Sequence, residues 1–149
     1  MRVSLLEVVI VVAIIAILAA IGIPRISRGS KGASDSALGG NLAVFRNAID
    51  LYAAEHTGAY PAVATIADQL TLYTDASGAT SANKDATHIY GPYVRSIPPL
   101  PVGAKKGSKG IAAADAAGIG WIYDQTLGSI RANTADTEVD DTNKAYNTY

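Results

Sequence analysis

One stretch near the start, LLEVVIVVAIIAILAAIGI over residues 5–23, constrains this chain more than any other. From Val8 to Ile23 no side chain is charged or strongly polar. A helix rises about 1.5 Å per residue, so Val3 to Ile23 would be roughly 30 Å long, the thickness of a bilayer's hydrocarbon core. Apolar residues would fall on every side of it. Such a helix has no wet face and must be buried in lipid or in other protein. Glu7 breaks the pattern, and a carboxylate in an apolar segment is costly at a bilayer centre and less so near an interface. Two roles are open to it. Ser4-Leu5-Leu6-Glu7 has the form of a capping box, in which Ser4 and Glu7 satisfy each other's backbone donors. Alternatively, Glu7 takes a cation from another subunit.

Gly22 and Pro24 mark the exit from the apolar run. A proline inside a helix costs about 3 kcal/mol. Gly29, Gly32, Gly39 and Gly40 follow, each roughly 1 kcal/mol worse than alanine in a helix. The expectation is a weak helix between about Gly22 and Gly40, or a plain linker over Gly22–Gly32. A secretory signal peptide would also combine Arg2 with an apolar run. Little precedes this run, however, and only Ala19-Ala20-Ile21-Gly22 offers a cleavage site, so a single-span anchor fits better.

From Leu38 a helical period returns. Leu38, Leu42, Phe45, Ile49 and Tyr52 form one apolar stripe, with Asn41, Arg46, Asn47, Asp50 and Glu55 on the other side. This helix is expected to end near His56-Thr57-Gly58, where Gly58 suits a C-terminal cap. Residues 62–72 predict a short helix with Ile66, Leu70 and Leu72 inward. Residues 74–85 are small, polar and turn-rich, which predicts a surface loop. Ile97-Pro98-Pro99-Leu100-Pro101 is too rich in proline for a central strand. Residues 102–117 read as a further loop. Gly120–Asp124 and Ser129–Asn133, separated by a glycine-containing turn, predict a hairpin. Residues 134–149 are polar and acidic and are expected to run over the surface.

The composition excludes several chemistries. The chain has 149 residues, a net charge of -1 and no cysteine. Disulfides and cysteine-ligated zinc are therefore impossible, and there is no general attraction to nucleic acid. His56 and His88 have no ligand spacing and read as surface or capping residues. No Gly-x-Ser-x-Gly elbow occurs. The segment 103–110 does not fit a phosphate loop and reads as a solvated basic loop. Asp136, Glu138, Asp140 and Asp141 lie within six residues, and alternating oxygens can wrap calcium. Asp136, Asp140 and Asp141 are thus candidate calcium ligands, against the plainer reading of a solvated acidic tail.

Val3-Ser4-Leu5-Leu6-Glu7, the apolar run after it and the position of Pro24 together resemble the N-terminal segment of type IV pilins and of the related pseudopilins of type II secretion. Here Arg2 precedes Val3, where the family is cleaved after glycine, and Val3 stands where the family usually has phenylalanine. Residues 51–61, LYAAEHTGAYP, resemble the end of the long helix in major pseudopilins and short pilins. Ile89–Pro101 resembles the loop that enters their sheet.

The resemblance implies an α+β lollipop: residues 1–30 as a hydrophobic polymerisation or transmembrane helix, residues 31–149 as an amphipathic helix with a globular head built on a small antiparallel sheet. It implies a non-enzymatic subunit that polymerises with itself, with Val3, Ser4, Glu7 and Pro24 as assembly residues. The precursor would sit in the inner membrane, served by a prepilin peptidase, an assembly ATPase and a platform protein. The filament would be extracellular, or periplasmic if the chain is a pseudopilin. Major pseudopilins carry calcium in their C-terminal loop, which bears on the acidic cluster. A monomeric membrane-anchored binding protein is the remaining alternative.

Overall fold

The computed structural model describes residues 4–149, without the side chains of residues 21–28. The fold is α+β. Helix α1 runs unbroken over Leu5–Glu55 and begins with the Val8 amide donating to the Ser4 carbonyl at 3.2 Å. The backbone is helical from Gly22 to Gly40, so the plain linker considered for Gly22–Gly32 is not formed. Local penalties of about 1 kcal/mol per glycine do not outweigh the hydrogen bonds gained by propagating an established helix. The chain divides into two compact units, Met1–Ala33 and Ser34–Tyr149.

The second unit is a head with its own core. The stripe on α1 is buried as its period predicts: Leu38, Leu42, Phe45, Ile49 and Tyr52 are nearly inaccessible to water. Helix α1 ends through two left-handed residues, Thr57 (φ 56°) and Gly58 (φ 86°). The Gly58 amide donates back to the Ala53 carbonyl at 2.8 Å, which satisfies one of the helix's last acceptors. Thr57, which the sequence did not single out, takes the first left-handed position.

Helix α2 is short, Ile66–Thr71; it buries Ile66 and Leu70 but leaves Leu72 half-exposed. Residues 74–85 are not wholly a loop. Strands β1 (Tyr73–Thr74) and β2 (Thr80–Ser81) pair antiparallel around a turn in which Asp75 Oδ1 accepts from Ser77 and Ala79.

The main sheet has three strands: β3 (Gly110–Ala112), β4 (Ile119–Asp124) and β5 (Ser129–Ala132), in the order β3-β4-β5. The expected hairpin is β4–β5, with Trp121 opposite Ala132 and Tyr123 opposite Ile130. Those four residues are buried, and Trp121 meets Phe45 of α1 edge-on at 5.0 Å between ring centroids. The Trp121 indole N–H donates to the Pro98 carbonyl, and the Tyr123 hydroxyl to that of Pro61, so each buried polar handle is satisfied. Strand β3, expected to be loop, pairs parallel to β4, so the main sheet is mixed and not the antiparallel one expected. Only three residues long and opened by a glycine, it carries almost no alternation to read.

The tail is also more than surface chain. Tyr146, in a short 3-10 turn over Tyr146–Thr148, is buried. Its hydroxyl donates to Asp35 at 2.7 Å, and Arg46 donates to the Tyr149 carbonyl at 2.6 Å.

Candidate assembly site

In the first unit every described side chain from Leu5 to Ala20 is exposed. Leu5 is 82% accessible, Ile14 51% and Leu18 64%. These residues occupy all sides of the helix, so nothing in this segment of the chain covers them. Isolated exposed apolar residues are ordinary, but a contiguous sheath of them marks an interaction surface. Among the described residues, no helix is long and apolar enough to cross a membrane. The described apolar side chains stop at Ala20, and the remainder of the expected span, Val3 and Ile21–Ile23, lies outside them.

The four expected assembly residues are not all placed. Val3 lies outside the described residues, and Ser4 accepts the first helical hydrogen bond through its carbonyl. Pro24 lies within α1, and its side-chain surroundings are outside the described set. Glu7 is exposed in the first turn and lines a shallow hollow of about 280 Å³ with Val8, Val11 and Val12. A carboxylate at the rim of such a hollow can accept hydrogen bonds from a cationic or amide group presented by another chain.

Farther along α1, Gly29, Gly32, Gly39 and Gly40 have helical backbones and nothing within 4 Å of a Cβ placed on any of them. Packing among the described residues therefore does not require these glycines.

The acidic tail does not gather as a metal site. Asp136 accepts from Asn147 at 2.6 Å. Asp140 Oδ1 accepts from the Thr142 and Lys144 amides and the Thr142 hydroxyl, and Oδ2 accepts from the Tyr149 hydroxyl. That hydroxyl, with the Lys144 amide, holds the Asp140 carboxyl well below its ordinary range, and the same bond pushes Tyr149 up to about 12. Glu138 accepts from the amides of Ala104 and Ala135. Among the described residues, no group of three or more acidic or histidine side chains is arranged to hold a metal ion. Of the expected calcium ligands Asp136, Asp140 and Asp141, the first two already accept hydrogen bonds from the chain's own donors.

The histidines differ from one another. His88 caps the Asp85 turn near the surface, with Nδ1 2.8 Å from Asp85 Oδ2. His56, read from sequence as surface or capping, is buried and caps the last turn of α1. It stacks on Tyr52, and its ring nitrogens lie 2.8 and 2.9 Å from the carbonyls of Tyr52 and Asp75.

Sequence reasoning missed one polar network and the grooves beside it. Lys105 Nζ lies 2.6 Å from Asp115 Oδ1 and 3.0 Å from Asn133 Oδ1, while Asn133 Nδ2 donates to the same Asp115 oxygen. Lys105, then Asn133, lowers the Asp115 carboxyl. Residues 105, 115 and 133 meet only because β3, β4 and β5 pair, and no local spacing announces that. Comparison with sequence models of known families, with curated proteins and with solved structures finds no match.

Proposed function

We propose that this chain is the structural subunit of a helical filament of the type IV pilus kind, held in a lipid bilayer before assembly and in a bundle of its own helices afterwards. The observation that carries this reading is the uncovered apolar surface from Leu5 to Leu18, in a chain whose other unit has a well-buried core. Apolar area left in water forfeits about 25 cal/mol per Å², so this segment needs a continuous apolar environment.

Lipid and a helix bundle are equally apolar, so hydrophobicity alone does not move the helix from one to the other. Close packing and interhelical polar contacts must supply the difference. Ala13, Ala16, Ala19 and Ala20 permit close approach, and Glu7 supplies a charge that another copy can pair. A filament also needs one patch to meet a different patch without closing into a ring. An apolar helix entering a bundle beside heads of separate, folded construction provides such unlike surfaces.

The test is Glu7→Ala. Sheared surface material from cells making the unaltered chain should show filaments in electron micrographs, with this chain as their main protein. The variant should accumulate in membranes as monomer and give few filaments. Filaments as abundant as those of the unaltered chain would eliminate the charge pairing. Absence of filaments from both, with monomeric protein after extraction, would eliminate the polymer.

A further inference from the structure

The network of Lys105, Asp115 and Asn133 brings together groups whose chemistry goes beyond hydrogen bonding. Lys105 lies in the loop before β3, Asp115 in the connection from β3 to β4, and Asn133 directly after β5. Lys105 Nζ, a nucleophile as the free amine, is 3.0 Å from Asn133 Oδ1. That oxygen is bonded to the amide carbon, Cγ. An attacking atom must come within about 3–3.5 Å of its target, and rotation of the long lysine stem covers the small shift that remains. Asp115 Oδ1 touches both nitrogens such a reaction involves: it accepts from Lys105 Nζ at 2.6 Å and from Asn133 Nδ2 at 2.8 Å. Asn133 is buried, and its Nδ2 also donates to the Ile119 carbonyl at 2.8 Å, which holds the amide with its oxygen toward the lysine. All three residues line an open groove of about 580 Å³, which lets a small leaving group escape.

We infer that Lys105 and Asn133 become joined by an isopeptide bond that the chain forms by itself. Asp115 takes a proton from the Lys105 ammonium and leaves a free amine. The amine's lone pair attacks Asn133 Cγ, and the carbonyl electrons move onto Oδ1. When the carbonyl re-forms, the bond from Cγ to Nδ2 breaks. Asp115 passes its proton to the departing Nδ2 and takes the surplus proton from the attacking nitrogen. Ammonia leaves, carries that last proton into the groove as ammonium, and Asp115 is again a carboxylate. One C–N bond forms and one breaks, nothing is oxidised or reduced, and no co-reactant is consumed. The bond ties the loop before β3 to the end of β5, across the main sheet of a chain that has no cysteine to do so. The reaction lies within the head and is independent of filament assembly.

The readout is the intact mass of the full chain in detergent, followed over days in mildly alkaline buffer, where lysine amines are more often free. A mass lower by one ammonia is expected, with a tryptic fragment in which Lys105 is linked to Asn133. Lys105→Arg should keep its full mass. Asp115→Ala should slow the loss about a hundredfold or more, the usual effect of removing a positioned proton carrier. Lys106→Arg changes the neighbouring exposed lysine and should react like the unaltered chain. An undiminished mass in the unaltered chain would overturn the bond and leave the network as hydrogen bonds alone. Loss of ammonia that persists in Lys105→Arg would also overturn it, and would place the loss in ring closure of Asn133 onto its own backbone. An equal rate in Asp115→Ala would overturn the part given to the carboxylate.

Discussion

Helix α1 shows two opposite solutions to apolar surface within one element. Over Leu5–Ala20 the apolar side chains point everywhere and none is covered. Over Leu38–Tyr52 they are confined to one stripe, which Trp121, Tyr123 and Ile130 help to cover. The first segment has nothing to fold against in its own unit, and its surface can be satisfied only from outside. The second is satisfied by residues that lie some seventy positions later in the chain. Apolar content alone does not separate the two segments; periodicity does. A stripe commits a helix to its own domain, while a sheath leaves it available to lipid or to other chains.

The largest effect should come from removing the head's cover. Trp121→Ala should cost the head about 3–5 kcal/mol, the usual range for deleting a fully buried aromatic. A denaturant titration followed by near-UV circular dichroism measures it. Ile14→Ala should leave that titration unchanged, since its side chain is exposed and is no part of the head's core. If both variants shifted the midpoint alike, the distinction between the two segments would collapse.

A smaller loss is expected at the hairpin turn. Gly128 has φ 64°, and a Cβ there would run into the Tyr60 ring. Gly128→Ala combines left-handed strain with a clash and should cost about 1–3 kcal/mol. Gly40→Ala, with no neighbour to meet, should instead stabilise α1 by up to about 1 kcal/mol. Thermal melts of the two variants should therefore shift in opposite directions.

Next comes the clasp between tail and helix. Tyr146→Phe removes the donor to Asp35 and should cost about 1 kcal/mol, read from the same melts.

The smallest effect is that of pH. The folded Asp140 carboxyl titrates below its unfolded range, so its contribution is complete above about pH 4 and is lost as pH falls further. The folded Tyr149 hydroxyl titrates near 12, above its unfolded value near 10. Its contribution is present below about pH 10 and is lost as pH rises toward 12. Tyr149→Phe should flatten the alkaline limb of a plot of melting temperature against pH. An unchanged limb would disconnect the Asp140–Tyr149 contact from stability.

What could be read beforehand divides along similar lines. The α1 stripe and the β4–β5 hairpin were legible because local period and turn chemistry specify them. Strand β3 was not, because three residues pairing parallel with β4 leave no pattern in their own sequence. The partners of the acidic tail were missed for a related reason. Asp136 and Asp140 look like a cluster in sequence, but their partners, Asn147, Lys144 and Tyr149, appear only when the tail turns back on itself. The apolar run over residues 5–20 was legible as a surface without cover, because no period confines it to one face.

The clasp of the tail also sets an order in time. Tyr146 bonds to Asp35 across 111 residues, and Arg46 reaches Tyr149 across 103. Contacts this distant in sequence form late, because the intervening chain must be gathered first. During synthesis the apolar segment emerges long before residues 146–149 exist. Whatever shelters that segment must therefore act on a chain whose head has not yet closed.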